Sequence, residues 1–285
     1  MSVLSSLRHL ILLTRPHNGL IGAASILVGS FLAQGMLSTG TWFAAGMAFF
    51  VCSGAYVLND IYDVAADRIT KPWRPLAAGL ITRRRASDLV LVLWALGGAF
   101  ALLGGWEAGV FYSAWLVLLW AYSWRLKARG WPGHLVVSTV AASGFLLGAW
   151  MGGSWQAGIV PFVIAFLFHL AREVAKAVAD MRGDRSAGLS TFAVRAGEER
   201  ALLVLLYLIV SVAVAGLLPY VTGFYRGLYF IPVVGVVYPL LAVSLRVTLQ
   251  AGKRGRDAAM AAERVSMMLK AAMPAGLLAF TLAGV

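Results

Sequence analysis

The chain has 285 residues, 60% of them hydrophobic and 13% charged, with a net charge of +12 and a mean hydropathy of +0.81. A soluble domain is roughly half apolar and about a quarter charged, so one aqueous core cannot bury these side chains and lipid is the expected solvent. The basic residues are spread between apolar runs instead of forming one face of a soluble fold, which argues against nucleic acid as a partner. The lone cysteine, Cys52, rules out an internal disulfide and a cysteine-based metal site.

Taken in chain order, residues 1–16 lack the small-residue cleavage site of a secretory signal and are read as mature protein. A membrane-crossing helix needs about 20 mostly apolar residues. Nine runs approach that length: 19–36, 41–64, 86–104, 108–123, 133–150, 158–180, 201–218, 228–245 and 265–284. The fourth is the shortest. With nine spans, 23 of the 24 basic residues fall on one side and only Arg226 falls opposite. The positive-inside rule makes that side cytoplasmic, with the N-terminus in and the C-terminus out. Of the twelve acids, only Glu107 is assigned to the outer side. The polar connections 65–85 and 181–200 are too short for a second domain, so residues 1–285 are read as one integral membrane unit, an all-α polytopic bundle.

The second span ends in Asn59-Asp60-Ile61-Tyr62-Asp63-Val64-Ala65-Ala66-Asp67. On a continuing helix Asn59, Asp63 and Asp67 recur at i, i+4 and i+8 on one face, with Asp60 off to the side. Stacked like charges destabilise a helix by a few tenths of a kcal/mol, and a carboxylate at mid-membrane costs roughly 2.5–3.5 kcal/mol. Such a stack needs a compensating partner. The sixth span repeats the pattern with Asp180 and Asp184, preceded by Arg172, Glu173 and Lys176. Two acid-bearing helices converging at one membrane face supply hard oxygen ligands, which suit Mg²⁺ and a substrate phosphate. The bland alternative is simple pairing with nearby loop cations, worth about 0–1 kcal/mol for an exposed pair. After the first stack comes Arg68-Ile69-Thr70-Lys71-Pro72-Trp73-Arg74-Pro75, a proline-braced loop whose Arg68, Lys71 and Arg74 can meet phosphate oxygens.

Together, Asn59-Asp60-x-x-Asp63-x-x-x-Asp67, the Pro-Trp-Arg-Pro loop and Asp180-x-x-x-Asp184 resemble the UbiA superfamily of intramembrane prenyltransferases, over essentially the whole chain. The resemblance implies nine helices around a central cavity, two Mg²⁺ ions held by Asn59, Asp60, Asp63, Asp67, Asp180 and Asp184, and a prenyl diphosphate donor whose tail runs into a lipid-open tunnel. Asp63, Asp67, Asp180 and Asp184 would be catalytic, and Arg68, Lys71 and Arg74 would bind the diphosphate. Arg15-Pro16-His17-Asn18, Arg172-Glu173-x-x-Lys176 and Gly183-Asp184-Arg185 with Gly188-Leu189-Ser190-Thr191 look most like the branch of digeranylgeranylglyceryl phosphate synthases. That likeness implies geranylgeranylglyceryl phosphate as the lipid-soluble acceptor, its head met by Arg15, Asn18, Arg172, Glu173 and Lys176.

Some alternatives stay open at this level. Ala177 and Ala179 stand where that branch carries acids, which leaves an aromatic acceptor such as 4-hydroxybenzoate in play. Arg15 also reads as a snorkelling helix-end anchor, Glu173–Lys176 as an i, i+3 structural pair, and His169 as a packed histidine. Tyr62, Tyr122 and Trp124 read either as shelter for an allylic cation or as interfacial aromatics. Outside the enzyme class, an ion-coupled transporter is the rival, although its acids would be expected near the bilayer midplane.

Overall fold

The structure, a computed structural model, describes residues 3–186, 188, 190–225, 227–254 and 257–284. Leu189, Arg226 and Arg256, which figured in the motif and charge patterns, lie outside the described residues. Among the described residues there are helices and no strand. The principal helices are α1 (Val3–Thr14), α2 (Pro16–Gln34), α3 (Thr39–Thr70), α4 (Arg83–Gly104), α5 (Trp106–Ala121), α6 (Trp131–Ala142), α7 (Gly144–Met151), α8 (Ile159–Ser186), α9 (Phe192–Ala196), α10 (Glu198–Val221), α11 (Gly227–Pro232), α12 (Tyr238–Arg254) and α13 (Ala258–Ala283).

Among the described residues, eight helical stretches are long and apolar enough to cross a membrane, with α6–α7 and α11–α12 each counting as one. The chain is therefore an integral, multi-pass membrane protein. The expected fourth span, α5, has 16 residues and falls short on length. A wider helical turn over Tyr122–Leu126 lengthens it. Trp106 at one end stacks edge-on against Trp150, and the loop beyond the other end carries Lys127 to Asp63.

The bundle has two halves. In one, α2, α3, α4, α5, α6 and α7 bury Ile26, Met47, Val51, Trp115 and Leu147. In the other, α8, α10, α12 and α13 bury Val174, Val178, Leu205, Ile209, Val265 and Leu269. In lipid, apolar burial does little to join helices, so close packing between small residues carries that load. The crossing of α2 with α6–α7 follows this rule. A Cβ on Gly148 would sit 1.9 Å from the Ile26 carbonyl oxygen, one on Gly29 2.3 Å from that of Phe145, and one on Gly144 2.1 Å from Ser25 Oγ. Gly144, Gly148 and Gly152 recur every fourth residue and meet Ser25, Ile26 and Ala33 on α2. Gly148→Ala is therefore expected to destabilise the protein by about 1–3 kcal/mol. Gly109→Ala, where nothing lies within 4 Å, is expected to be neutral. Thermal unfolding in nanodiscs of the two variants side by side checks this.

α3 and α8 have 32 and 28 residues, longer than a bilayer requires. About 20 residues cross the hydrocarbon. Counted from their N-terminal ends, Asn59 onward in α3 and Asp180 onward in α8 fall just past that mark. The acid stacks thus fall toward one end of these helices and not at their middle.

Candidate active site

α3 continues to Thr70, so Asn59, Asp63 and Asp67 do share one face. Its last turn closes with the Lys71 N–H donating to the Asp67 carbonyl at 2.8 Å, and Pro72 stops it. The following loop folds back over the helix end. Arg74 Nη1 donates to Asp67 Oδ2 at 2.7 Å and to Asp60 Oδ1 at 3.2 Å. Burial alone would lower the Arg74 pKa, but the Asp60 and Asp67 carboxylates outweigh it and hold the guanidinium above its ordinary value.

The end of α8 meets the end of α3. Lys71 Nζ donates to Asp180 Oδ1 at 2.8 Å, and Gly183 lies so close to Thr70 that a Cβ there would be 2.1 Å from Thr70 Cγ2. Asp184 Oδ2 accepts from Thr191 Oγ1 at 3.0 Å. Between the two helices Lys127 pairs with Asp63 and donates to Asn59 Oδ1 at 3.4 Å. Burial works against its charge and Asp63 more than compensates, so its pKa is raised. One cavity is lined by both stacks and by Arg15, Lys71, Arg74, Lys127, Glu173 and Lys176. Tyr62, Tyr122 and Trp124 also face it.

The expected site residues do not all gather there. Asp60 is buried, off the cavity, and its Oδ1 accepts from Arg15 Nη2 at 2.6 Å as well as from Arg74. It anchors two arginines and is not placed as a ligand. Arg15 is not a snorkelling anchor. It is the one non-glycine residue described with a left-handed backbone, φ 47°, a strain of about 1–3 kcal/mol held by its ion pair and by the Tyr56 ring 5.1 Å beneath it. Arg68 is exposed, and Arg68, Asn18 and Arg172 lie off the cavity wall. Glu173 and Lys176 do pair, at 2.8 Å, on the cavity wall. His169 lines a separate apolar cavity. Lys127, His134 and Thr191 are cavity residues that sequence reasoning did not single out. For Lys127 no local signal exists, since it is one loop cation among many. Thr191 carried one in the motif that follows Asp184.

A metal fits this donor set. Among the described residues, no three carboxylate, imidazole or thiol side chains close on one point. Mg²⁺ is commonly held by one or two carboxylates together with substrate phosphates, and Asp63, Asp67, Asp180 and Asp184 bring carboxylates of that kind to the cavity wall. The cavity wall carries five carboxylates and five cations. An entering diphosphate alone would leave it strongly negative, and divalent ions entering with it restore balance.

The sequence profile described as the UbiA prenyltransferase family matches residues 22–269. The chain belongs to the UbiA prenyltransferase family. It is similar to the digeranylgeranylglyceryl phosphate synthase of Hyperthermus butylicus, 35% identical over 293 residues and 97% of each chain. It also resembles that of Methanopyrus kandleri, 33% identical over 94% of this chain and 96% of the other. A solved structure of digeranylgeranylglyceryl phosphate synthase in membranes superposes with a TM-score of 0.70 at 25% identity, covering 98% of both chains. A UbiA homologue from Archaeoglobus fulgidus bound to GPP and Mg²⁺ shares the fold, with a TM-score of 0.63 at 21% identity over 94% of this chain and 99% of that one. The UbiA fold thus accounts for the helical bundle around a polar cavity.

Proposed function

We propose that residues 1–285 form one catalytic unit that transfers a geranylgeranyl group from its diphosphate to the free hydroxyl of geranylgeranylglyceryl phosphate, with two Mg²⁺ ions. The observation that carries this reading is the single cavity in which the acids of α3 and α8 face Lys71, Arg74 and Lys127. The names of the relatives that span nearly the whole chain support the choice of acceptor.

Asn59, Asp63 and Asp67 on one side and Asp180 and Asp184 on the other would hold the metal, which when bound supplies positive charge against the diphosphate. Lys71, Arg74 and Lys127 now rest on carboxylates. When the carboxylates turn to the ions, the three cations are released toward phosphate oxygens and stabilise the charge that grows as the allylic C–O bond breaks. Tyr62, Tyr122 and Trp124 present aromatic faces to the allylic cation. The acceptor oxygen then bonds to that carbon, and its proton leaves with the departing diphosphate. The concentration of basic residues on one side supports a cytoplasmic position for the cavity, with the N-terminus in.

The test is a radiolabelled geranylgeranyl diphosphate assay with geranylgeranylglyceryl phosphate and 4-hydroxybenzoate side by side. Label is expected in the ether lipid alone, abolished by EDTA and restored by excess Mg²⁺. Transfer to the aromatic acid, or transfer unaffected by EDTA, overturns the reading.

A further inference from the structure

A second cationic cluster lies outside the cavity just described. Lys270 Nζ on α13 donates to His17 Nε2 on α2 at 2.6 Å, joining residues 253 apart in sequence. Among the described residues neither has a carboxylate partner. Arg172 on α8 and Arg15 are within electrostatic range of both. Arg172 has only a long contact, 3.7 Å, to Glu173, which Lys176 already holds at 2.8 Å, and its buried Nε has no partner. Arg15 is committed to Asp60. Accepting from Lys270 leaves the His17 ring neutral, so the positive charges here are Lys270, Arg172 and Arg15, and these repel one another unless an anion sits among them.

What lies behind the cluster identifies that anion. An apolar cavity runs between α2, α8, α10, α12 and α13, and Ile21, Phe168, His169 and Met273 are on its wall. Each of these is one helical turn, three or four residues, from His17, Arg172 or Lys270, so the cluster adjoins the apolar chamber. Arg15 also lines the polar cavity, so the cluster adjoins both spaces. A cationic cluster beside an apolar chamber fits an amphiphile with an anionic head.

We infer that His17, Arg172 and Lys270 bind the phosphate of the acceptor, whose hydrocarbon chain enters the apolar cavity behind them. This rests on the reading of the protein as a prenyltransferase acting on a phosphate-headed lipid. It favours that lipid over a small aromatic acid, which has no hydrocarbon chain to place behind the cluster.

The binding test uses the full-length protein in zwitterionic nanodiscs with EDTA, which disables the metal-assisted diphosphate site. Dodecyl phosphate and dodecanol are titrated against intrinsic tryptophan fluorescence. The wild type is expected to prefer the phosphate by about tenfold or more, the worth of one charge-assisted hydrogen bond. Lys270→Gln should lose that preference, while Lys71→Gln should keep it. No preference in the wild type, or an unchanged one in Lys270→Gln, overturns the inference. If replacing a quarter of the lipid with phosphatidylglycerol removes the preference, the cluster serves bilayer headgroups and the inference also falls. In the transfer assay, Lys270→Gln should raise KM for the phosphate acceptor about tenfold or more and leave KM for the diphosphate donor within about twofold. A Lys270-dependent preference in a protein that transfers no prenyl group would leave the phosphate site standing and refute the enzymatic reading alone.

Discussion

Asp180→Ala is expected to lower kcat for prenyl transfer by about 10³-fold or more while leaving a folded protein. Removing a single group that stabilises transition-state charge costs about 10²–10³ in rate, and here a metal ligand would go as well. Stability should barely change. Asp180 is 37% exposed and its partner Lys71 28% exposed, and such a pair contributes about 0–1 kcal/mol. Steady-state transfer by the variant in nanodiscs, alongside its melting temperature, separates the two effects. Asp63→Ala is expected to behave alike in rate. Wild-type activity in either variant would remove these acids from the reaction.

Asp60→Ala should show the opposite balance. Its side chain is 3% exposed and carries both Arg15 and Arg74. Breaking a buried ion pair by removing one partner costs about 3–5 kcal/mol, because the remaining charge is left uncompensated. The loss also frees the strained backbone of Arg15 and loosens the loop that brings Arg74 to Asp67. The expected result is a fall in stability of that size, with Asp60→Asn intermediate. Equilibrium unfolding of the two variants measures it. If Asp60→Ala unfolds like the wild type, Asp60 is not the anchor assigned here.

The contrast between Asp60 and its neighbours was partly written in the sequence. Helical periodicity alone puts Asn59, Asp63 and Asp67 on one face and turns Asp60 away from it. What periodicity cannot give is what Asp60 turns toward, since Arg15 lies 45 residues away. The spans were legible for a related reason. A bilayer imposes a fixed length of apolar helix, and long runs such as α3, α8 and α10 show it clearly. α5 was harder to read because its traverse relies on a widened turn over Tyr122–Leu126 that hydropathy does not encode.

Lys127 marks the limit of the sequence reading of the site. The positive-inside rule accounts for every loop cation equally and does not say which one folds inward. Only tertiary packing sets Lys127 between Asp63 and Asn59. The same holds for His17 and Lys270, and for Arg68, whose motif position suggested a phosphate contact but whose side chain is exposed outside the cavity. The α2 partners of Gly144, Gly148 and Gly152 are likewise set by packing alone.

The most direct test of the shared site is a structure with Mn²⁺ and a non-hydrolysable geranylgeranyl thiolodiphosphate, with manganese located by anomalous scattering. Manganese peaks between the Asp63–Asp67 and Asp180–Asp184 carboxylates are expected, with Lys71 and Lys127 moved from those acids onto phosphate oxygens. Manganese bound elsewhere, or a diphosphate seated while both lysines keep their carboxylate partners, would contradict the account.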